Sequence, residues 1–247
     1  MVAAEAREFR GILRHCGPVN ELRWPVAFAV AAELNGKQCV FAANGPGPRL
    51  AGAVLKAAEV ESGKAGCKTL IGAVVSTGFC GGLDPRLKLG DIVEATSVID
   101  LATNRQYASR PISTGISAPE ASGNKSVRTV ILSRDRVAVT VEEKAQLRAS
   151  TDDAAAIEME AAAVAGWALA QSVPFYCVRV VSDCAGDALP MDMNSMRGED
   201  GRFDRLKIAR HALLKPWSRV PGLLKLDRDC RVAEQKLGAF FANCRFD

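Results

Sequence analysis

The chain has 247 residues, 48% hydrophobic and 24% charged, which is the balance of a globular protein with ample core in one large domain or two small ones. No apolar run approaches the ~20 residues that a bilayer-spanning helix needs, and MVAAEAREFRG at the N-terminus lacks the apolar centre of a signal peptide. The net charge of +4 is uneven: residues 197–247 hold 12 Lys and Arg against 7 Asp and Glu, so the basic excess belongs to the C-terminal tail.

In chain order, Val2-Ala3-Ala4 is a short apolar start before Glu5 and Glu8, and EFRGILRHC reads as a helix. Trp24 to Val30 and Lys37 to Ala43 read as two strands joined by Asn35-Gly36, a strong hairpin signal. Asn44-Gly-Pro-Gly-Pro48 is then a loop opening a helix from Arg49 to Glu61, where backbone N–H groups can face an anion. Gly47 and Arg49 are therefore candidates for phosphate, beside the plainer reading of a strand-to-helix turn with a surface arginine. Leu50 stands where a dinucleotide fingerprint needs its third glycine.

Leu70 to Val75 reads as a buried strand, followed by the glycine loop Ser76-Thr-Gly-Phe-Cys-Gly-Gly82, which permits close backbone approach to a ligand. Ile92 to Ile99 is a strand. Residues 100–128, poor in large apolar side chains, read as a long loop of the kind that serves as a lid. Val127 to Leu132 is a strand, Ser133 to Ala138 a loop and Glu142 to Arg148 a helix. After Asp187 an irregular stretch precedes helical patterns before Pro216 and after Gly222. The eight cysteines form no C-x-x-C pair, and with only His15 and His211 a metal site is not expected. A reduced, cytoplasmic protein is.

The most informative stretch is AIEMEAAAVAGWALAQSVPFYCVRVVSDCAGD, from Ala156 to Asp187. An apolar run with Glu158 and Glu160 leads into an Ala-rich helical pattern, then into a β-branched strand carrying Arg179, Ser182 and Asp183. The order strand, helix, strand suggests a parallel crossover, with the polar residues gathered where strands end and α/β sheets bind ligands. The plainer alternative is that Glu158 and Glu160 open a helix and Asp183 caps the next turn of the chain.

EMEA followed by RVVSD resembles the nucleoside phosphorylase and methylthioadenosine/S-adenosylhomocysteine nucleosidase superfamily, and VVSTGFCGGLDPRLKLGDIV resembles that family's glycine-rich loop, over roughly residues 40–190. The resemblance implies a single three-layer α/β domain over residues 1–247, with a central mixed sheet flanked by helices and a basic helical extension from about 197. It implies cleavage of the N-glycosidic bond of a purine nucleoside, a 5′-substituted adenosine, by water or by phosphate as co-substrate. No cofactor or metal is implied; a homo-oligomer without nucleic-acid partners is expected.

By motif match, Asp183 would protonate the base at N7 and Glu8 would activate water. Glu160, with Met159 beside it, would hold the ribose hydroxyls. Glu158, Gly81, Phe79, Val137, Ser182 and Arg179 are further candidates for substrate binding, though Glu158 and Arg179 could simply pair with neighbours. By strand parity Arg179 shares a face with Asp183. Two departures stand out: Phe79 replaces a small polar residue, and Val137 stands where nucleosidases often place an aromatic. The alternatives from other classes are a catalytically idle nucleoside-binding scaffold or, least favoured because its glycine fingerprint is missing, a dinucleotide-binding oxidoreductase. The tail resembles the C-terminal region of hopanoid-associated phosphorylases, which act on adenosylhopane. Its basic residues alternate with Leu, Ile and Trp217, as on a helix resting on the inner face of an anionic membrane. The plainer alternative is a pair of helices covering the sheet or a dimer contact.

Overall fold

The computed structural model describes residues 1–64, 71–114, 126–151 and 154–245. After β1 (Val2–Ala3) come a 3-10 turn (Ala6–Phe9) and α1 (Arg10–Leu13), then β2 (Asn20–Glu21), β3 (Phe28–Leu34), β4 (Lys37–Ala43) and α2 (Pro48–Lys64). The centre of the chain holds β5 (Val74–Gly82), β6 (Ile92–Asp100), β7 (Arg105–Ala108), β8 (Ser113–Thr114), β9 (Ser126–Ser133) and α3 (Val141–Ala149). The last third holds β10 (Ala154–Glu158), α4 (Ala161–Gln171), β11 (Phe175–Asp183), α5 (Arg205–Leu213), α6 (Pro216–Ala242) and β12 (Cys244–Arg245).

Asn35 and Gly36 both take positive φ, 51° and 77°, the geometry a two-residue hairpin turn requires, and they join β3 to β4 in the expected antiparallel pair. The main sheet is mixed, in the order β10-β9-β6-β11-β5-β1-β4-β3-β2, with β7 beside β6. Strand β11 shows how its layers form. Tyr176, Val178 and Val180 face a core shared with the 3-10 turn, α1 and α6 through Phe9, Ile12, Ala233, Leu237 and Phe241. The alternate residues Phe175, Cys177 and Val181 face a second core with α2 and α4, through Val54, Leu55, Val164 and Ala168. Among the described residues no helix is long and apolar enough to cross a membrane.

Four expectations change. The glycine stretch from Ser76 to Gly82 is not a loop but the second half of β5, paired with β11. The sheet also closes on itself, because β10 pairs parallel with β9 and antiparallel with β5, Ile157 lying opposite Gly81. Since β11 is parallel to β5, strands β10 and β11 run in opposite directions, and the parallel crossover expected of them does not form. Part of the 100–128 loop is strand, as β7 and β8; residues 115–125 of the expected lid lie outside the described residues. Finally, α6 starts at Pro216 and runs through Pro221 and Gly222, so the break expected there is absent.

Helices α1 and α6 cross at two glycines. A Cβ on Gly11 would sit 1.7 Å from the Glu234 carbonyl oxygen, and one on Gly238 would sit 2.4 Å from the Gly11 carbonyl. Only backbone meets backbone there, so nothing can swing aside. Gly11→Ala should therefore cost about 1–3 kcal/mol or more in urea unfolding; wild-type stability would mean that the two helices are not in this contact.

Candidate active site

Arg179 on β11 is fully buried. Its Nη2 donates to Ser76 Oγ at 2.6 Å and to Glu158 Oε2, and its Nη1 donates to the Thr77 carbonyl at 2.9 Å and reaches Glu160 Oε2 at 3.4 Å. Glu158 Oε2 also accepts the Glu160 and Ala161 N–H groups, both at 2.8 Å, so this carboxylate closes the N-terminus of α4. Glu160 Oε1 accepts the Gly47 N–H at 2.8 Å. Burial, and then the neighbouring Glu158 carboxylate, raise the pKa of Glu160.

Glu8 comes from the 3-10 turn after β1. Its Oε2 accepts the Glu5 N–H and its Oε1 the Phe79 N–H, both at 2.7 Å. Gly78, at φ 126°, makes this possible, because a Cβ there would lie 2.3 Å from Glu8 Oε1. Burial pushes the Glu8 carboxyl up to about 7 against the pull of its two N–H donors.

Asp183 ends β11 just after a register shift between Val181 and Asp183. That break in the pleat defeats the parity expected for Arg179 and Asp183. Arg179 turns to the two glutamates, whereas Asp183 Oδ2 takes the Lys144 ammonium at 2.6 Å. Lys144, itself fully buried on α3, also donates to the carbonyls of Cys184 at 2.7 Å and Asp187 at 3.0 Å. The Ser182 hydroxyl lies 2.9 Å from Asp183 Oδ1 and 3.2 Å from the Cys80 carbonyl.

Above these groups opens a cleft of about 860 Å³. Glu8, Phe79, Gly81, Val137, Glu158, Met159, Glu160, Ser182 and Asp183 all line it. Arg179 lies beneath, a support for Glu158 and Glu160 rather than a cleft residue. The two residues singled out for phosphate, Gly47 and Arg49, both have partners within the protein. The Gly47 N–H is committed to Glu160, and the Arg49 guanidinium turns to the Asp200 carbonyl. Sequence reading missed Lys144, whose VEEKAQLRA helix resembles any solvated amphipathic segment. It also missed Met193, Phe203, Ile208 and Leu226, which close the cleft from the irregular stretch, α5 and α6. A separate cavity of about 1000 Å³ beside Asp84 holds none of these groups, and Asp84 is already paired with Arg86 and Arg148.

Fold and cleft meet in the comparisons. Residues 7–206 match the family described as Phosphorylase superfamily, and the chain belongs to that superfamily. Its relatives include 5′-methylthioadenosine/S-adenosylhomocysteine nucleosidases. The one from Haemophilus ducreyi is 33% identical over 129 residues, covering 45% of this chain and 56% of that enzyme, little more than half its length. The one from Colwellia psychrerythraea is 29% identical over 181 residues, covering 64% of this chain and 72% of that enzyme. The same mixed α/β fold is seen in the Neisseria meningitidis nucleosidase complexed with methylthio-immucillin-A, at TM-score 0.62 and 22% identity over 96% of this chain and 97% of that one. Futalosine hydrolase of Helicobacter pylori superposes at TM-score 0.64 and 19% identity, covering 98% and 94%.

The Lys144–Asp183 pair leads to a stability prediction. Removing one partner of a buried ion pair typically costs ~3–5 kcal/mol, and Asp183 keeps some solvent access, so Lys144→Met should cost about 2–4 kcal/mol in urea unfolding. A loss below about 0.5 kcal/mol would show that Lys144 does not anchor this corner.

Proposed function

We propose that the protein hydrolyses the N-glycosidic bond of a 5′-substituted adenosine and releases adenine. The observation that carries this reading is that Glu8, Glu160 and Asp183, from three different elements, line one cleft. Glu8 takes a proton from water as its oxygen attacks C1′; the bond from C1′ to N9 breaks; and a proton delivered through Asp183 to N7 turns the departing base into neutral adenine. Glu160 accepts hydrogen bonds from the ribose hydroxyls, and Met159 packs beside it. Lys144 fixes Asp183, and Arg179 fixes Glu158 and Glu160, so the carboxylates need little rearrangement as charge develops. No step requires a cofactor.

Water is favoured over phosphate because the backbone N–H and the arginine expected to bind an anion are both engaged elsewhere. The 5′ substituent is read as apolar, since Phe79, Val137, Leu189, Met193, Phe203 and Leu226 form much of the wall. The methylthio group named for the relatives and the hydrocarbon of an adenosylhopane both fit that description, and the dinucleotide alternative has no glycine fingerprint to rest on.

Product analysis with 5′-substituted adenosines, with and without phosphate, tests the proposal. Adenine and the free sugar should appear at the same rate in both, and Asp183→Asn should lower kcat by at least ~10²-fold while keeping the fold. Strict phosphate dependence would refute hydrolysis, and near-native turnover by the variant would remove Asp183 from its role.

Glu8 sets a pH dependence. A base must be ionised to act, so with the carboxyl at about 7 the kcat/KM profile should rise through that pH and level off above it. Glu8→Gln should abolish this limb together with most of the activity. If the limb stays near the ordinary glutamate range, another group is the base.

A further inference from the structure

We infer that the α5–α6 hairpin is a docking surface for an anionic lipid bilayer. Ten large hydrophobic residues are exposed among the described residues, and six of them fall between Leu206 and Leu224. Leu206, Leu213, Leu214 and Leu224 are 67–77% exposed, and Trp217 is 94% exposed. They are not scattered. Leu206 and Leu213 are seven residues apart on α5, and Trp217, Val220 and Leu224 recur at helical spacing on α6, while Ile208, Ala212 and Leu223 turn inward to Met191 and Met196. The hairpin thus has a packed inner face and an unpartnered apolar outer face centred on the turn from Leu213 to Trp217.

Its charge selects the occupant. From Arg205 to Leu224 the sequence contains five Lys or Arg and no Asp or Glu. Arg219 Nη1 is tied to the His211 carbonyl at 2.7 Å. Lys225, just beyond, is paired with Asp187 and Asp229. Lys207, Arg210 and Lys215, by contrast, are exposed and form no ion pair with a described residue. A second copy docked on this face by a two-fold axis would set cations against cations. An anionic bilayer offers complementary charge to the lysines and arginines and an apolar boundary to the leucines and Trp217. The inner faces of the same helices supply Arg205, Ile208, Leu226 and Cys230 to the cleft, so docking would hold its mouth beside the lipid surface.

The test uses the full chain and sonicated vesicles. Of the three tryptophans, Trp24 and Trp167 are partly buried, so Trp217 dominates any change in emission on transfer from water. With phosphatidylglycerol-rich vesicles at low salt, the protein should co-sediment and its emission should shift to the blue. About 0.5 M salt should release it, since screening then reaches within a few ångströms. Pure phosphatidylcholine should bind it at least ~10-fold more weakly. The triple variant Lys207→Glu, Arg210→Glu, Lys215→Glu should lose at least ~10²-fold in partitioning onto anionic vesicles, yet cleave a short soluble adenosine analogue normally, because none of the three lines the cleft. Leu213→Ser with Leu214→Ser, a second variant on exposed positions, should retain charge-driven sedimentation but lose most of the blue shift. Failure to sediment at low salt, equal binding to neutral vesicles, or a lipid-free blue shift that grows with protein concentration and reports self-association would each overturn the inference.

Discussion

A single buried guanidinium organises the floor of the cleft. Arg179 is removed entirely from water, where an unpaired cation would be prohibitively unfavourable, and its neighbours are explained by that fact. It ties β11 to β5 through Ser76 and the Thr77 carbonyl, and to the end of β10 through Glu158 and Glu160. One positive charge faces Glu158 and Glu160 directly and Glu8 at longer range, so the cluster cannot hold every carboxylate ionised without excess negative charge. Burial raises the pKa values of Glu8 and Glu160, and at Glu160 the neighbouring Glu158 carboxylate adds to the rise. The guanidinium that stabilises the floor pulls both values back down without cancelling the rise.

The closed part of the sheet gives the cluster its shape. Because β10 returns antiparallel onto the Gly81-Gly82 end of β5, Glu158 and Glu160 arrive from one direction while Asp183 arrives on β11 from the other. Glu8 enters from a third side, on a turn held by a first strand of only two residues. That strand suffices because it is wedged between β4 and β5, with Ala42 opposite Val2, and because the Phe79 N–H fixes the carboxylate directly.

Much of this is legible in the sequence, for local reasons. The hairpin is set by Asn35-Gly36, α4 by its alanines, and β11 by a β-branched run whose alternate residues face two different cores. The pairing of RVVSD with EMEA carries the family. The features that escape are non-local. Periodicity does not say which strand pairs with which, so the antiparallel return of β10 reads as a crossover. Nor does parity survive a register shift at Val181, which turns Asp183 away from Arg179 and toward Lys144. A lysine in VEEKAQLRA carries no local mark of burial; only the fold buries it. The partner of Arg49 is equally non-local, because its flexible side chain finds the Asp200 carbonyl 151 residues away.

The C-terminal segment shows how one helix serves two surroundings. Beyond Cys230, α6 is core: Ala233, Leu237 and Phe241 are fully buried, and Gly238 lies against Gly11. Before Lys225 the same helix leaves Trp217 and Leu224 in water. Between the two, Leu226, Asp227 and Cys230 border the cleft, and Arg7, whose guanidinium lies 5.9 Å from the Phe79 ring, binds Asp227 at 3.2 Å and Glu234 at 2.9 Å. A displacement of the exposed half would therefore act on Arg7, one residue from Glu8, and on the residue whose N–H holds that carboxylate. Trp217, exposed at one end of α6, and Asp227, paired with the Arg7 that neighbours Glu8, thus lie on one continuous helix.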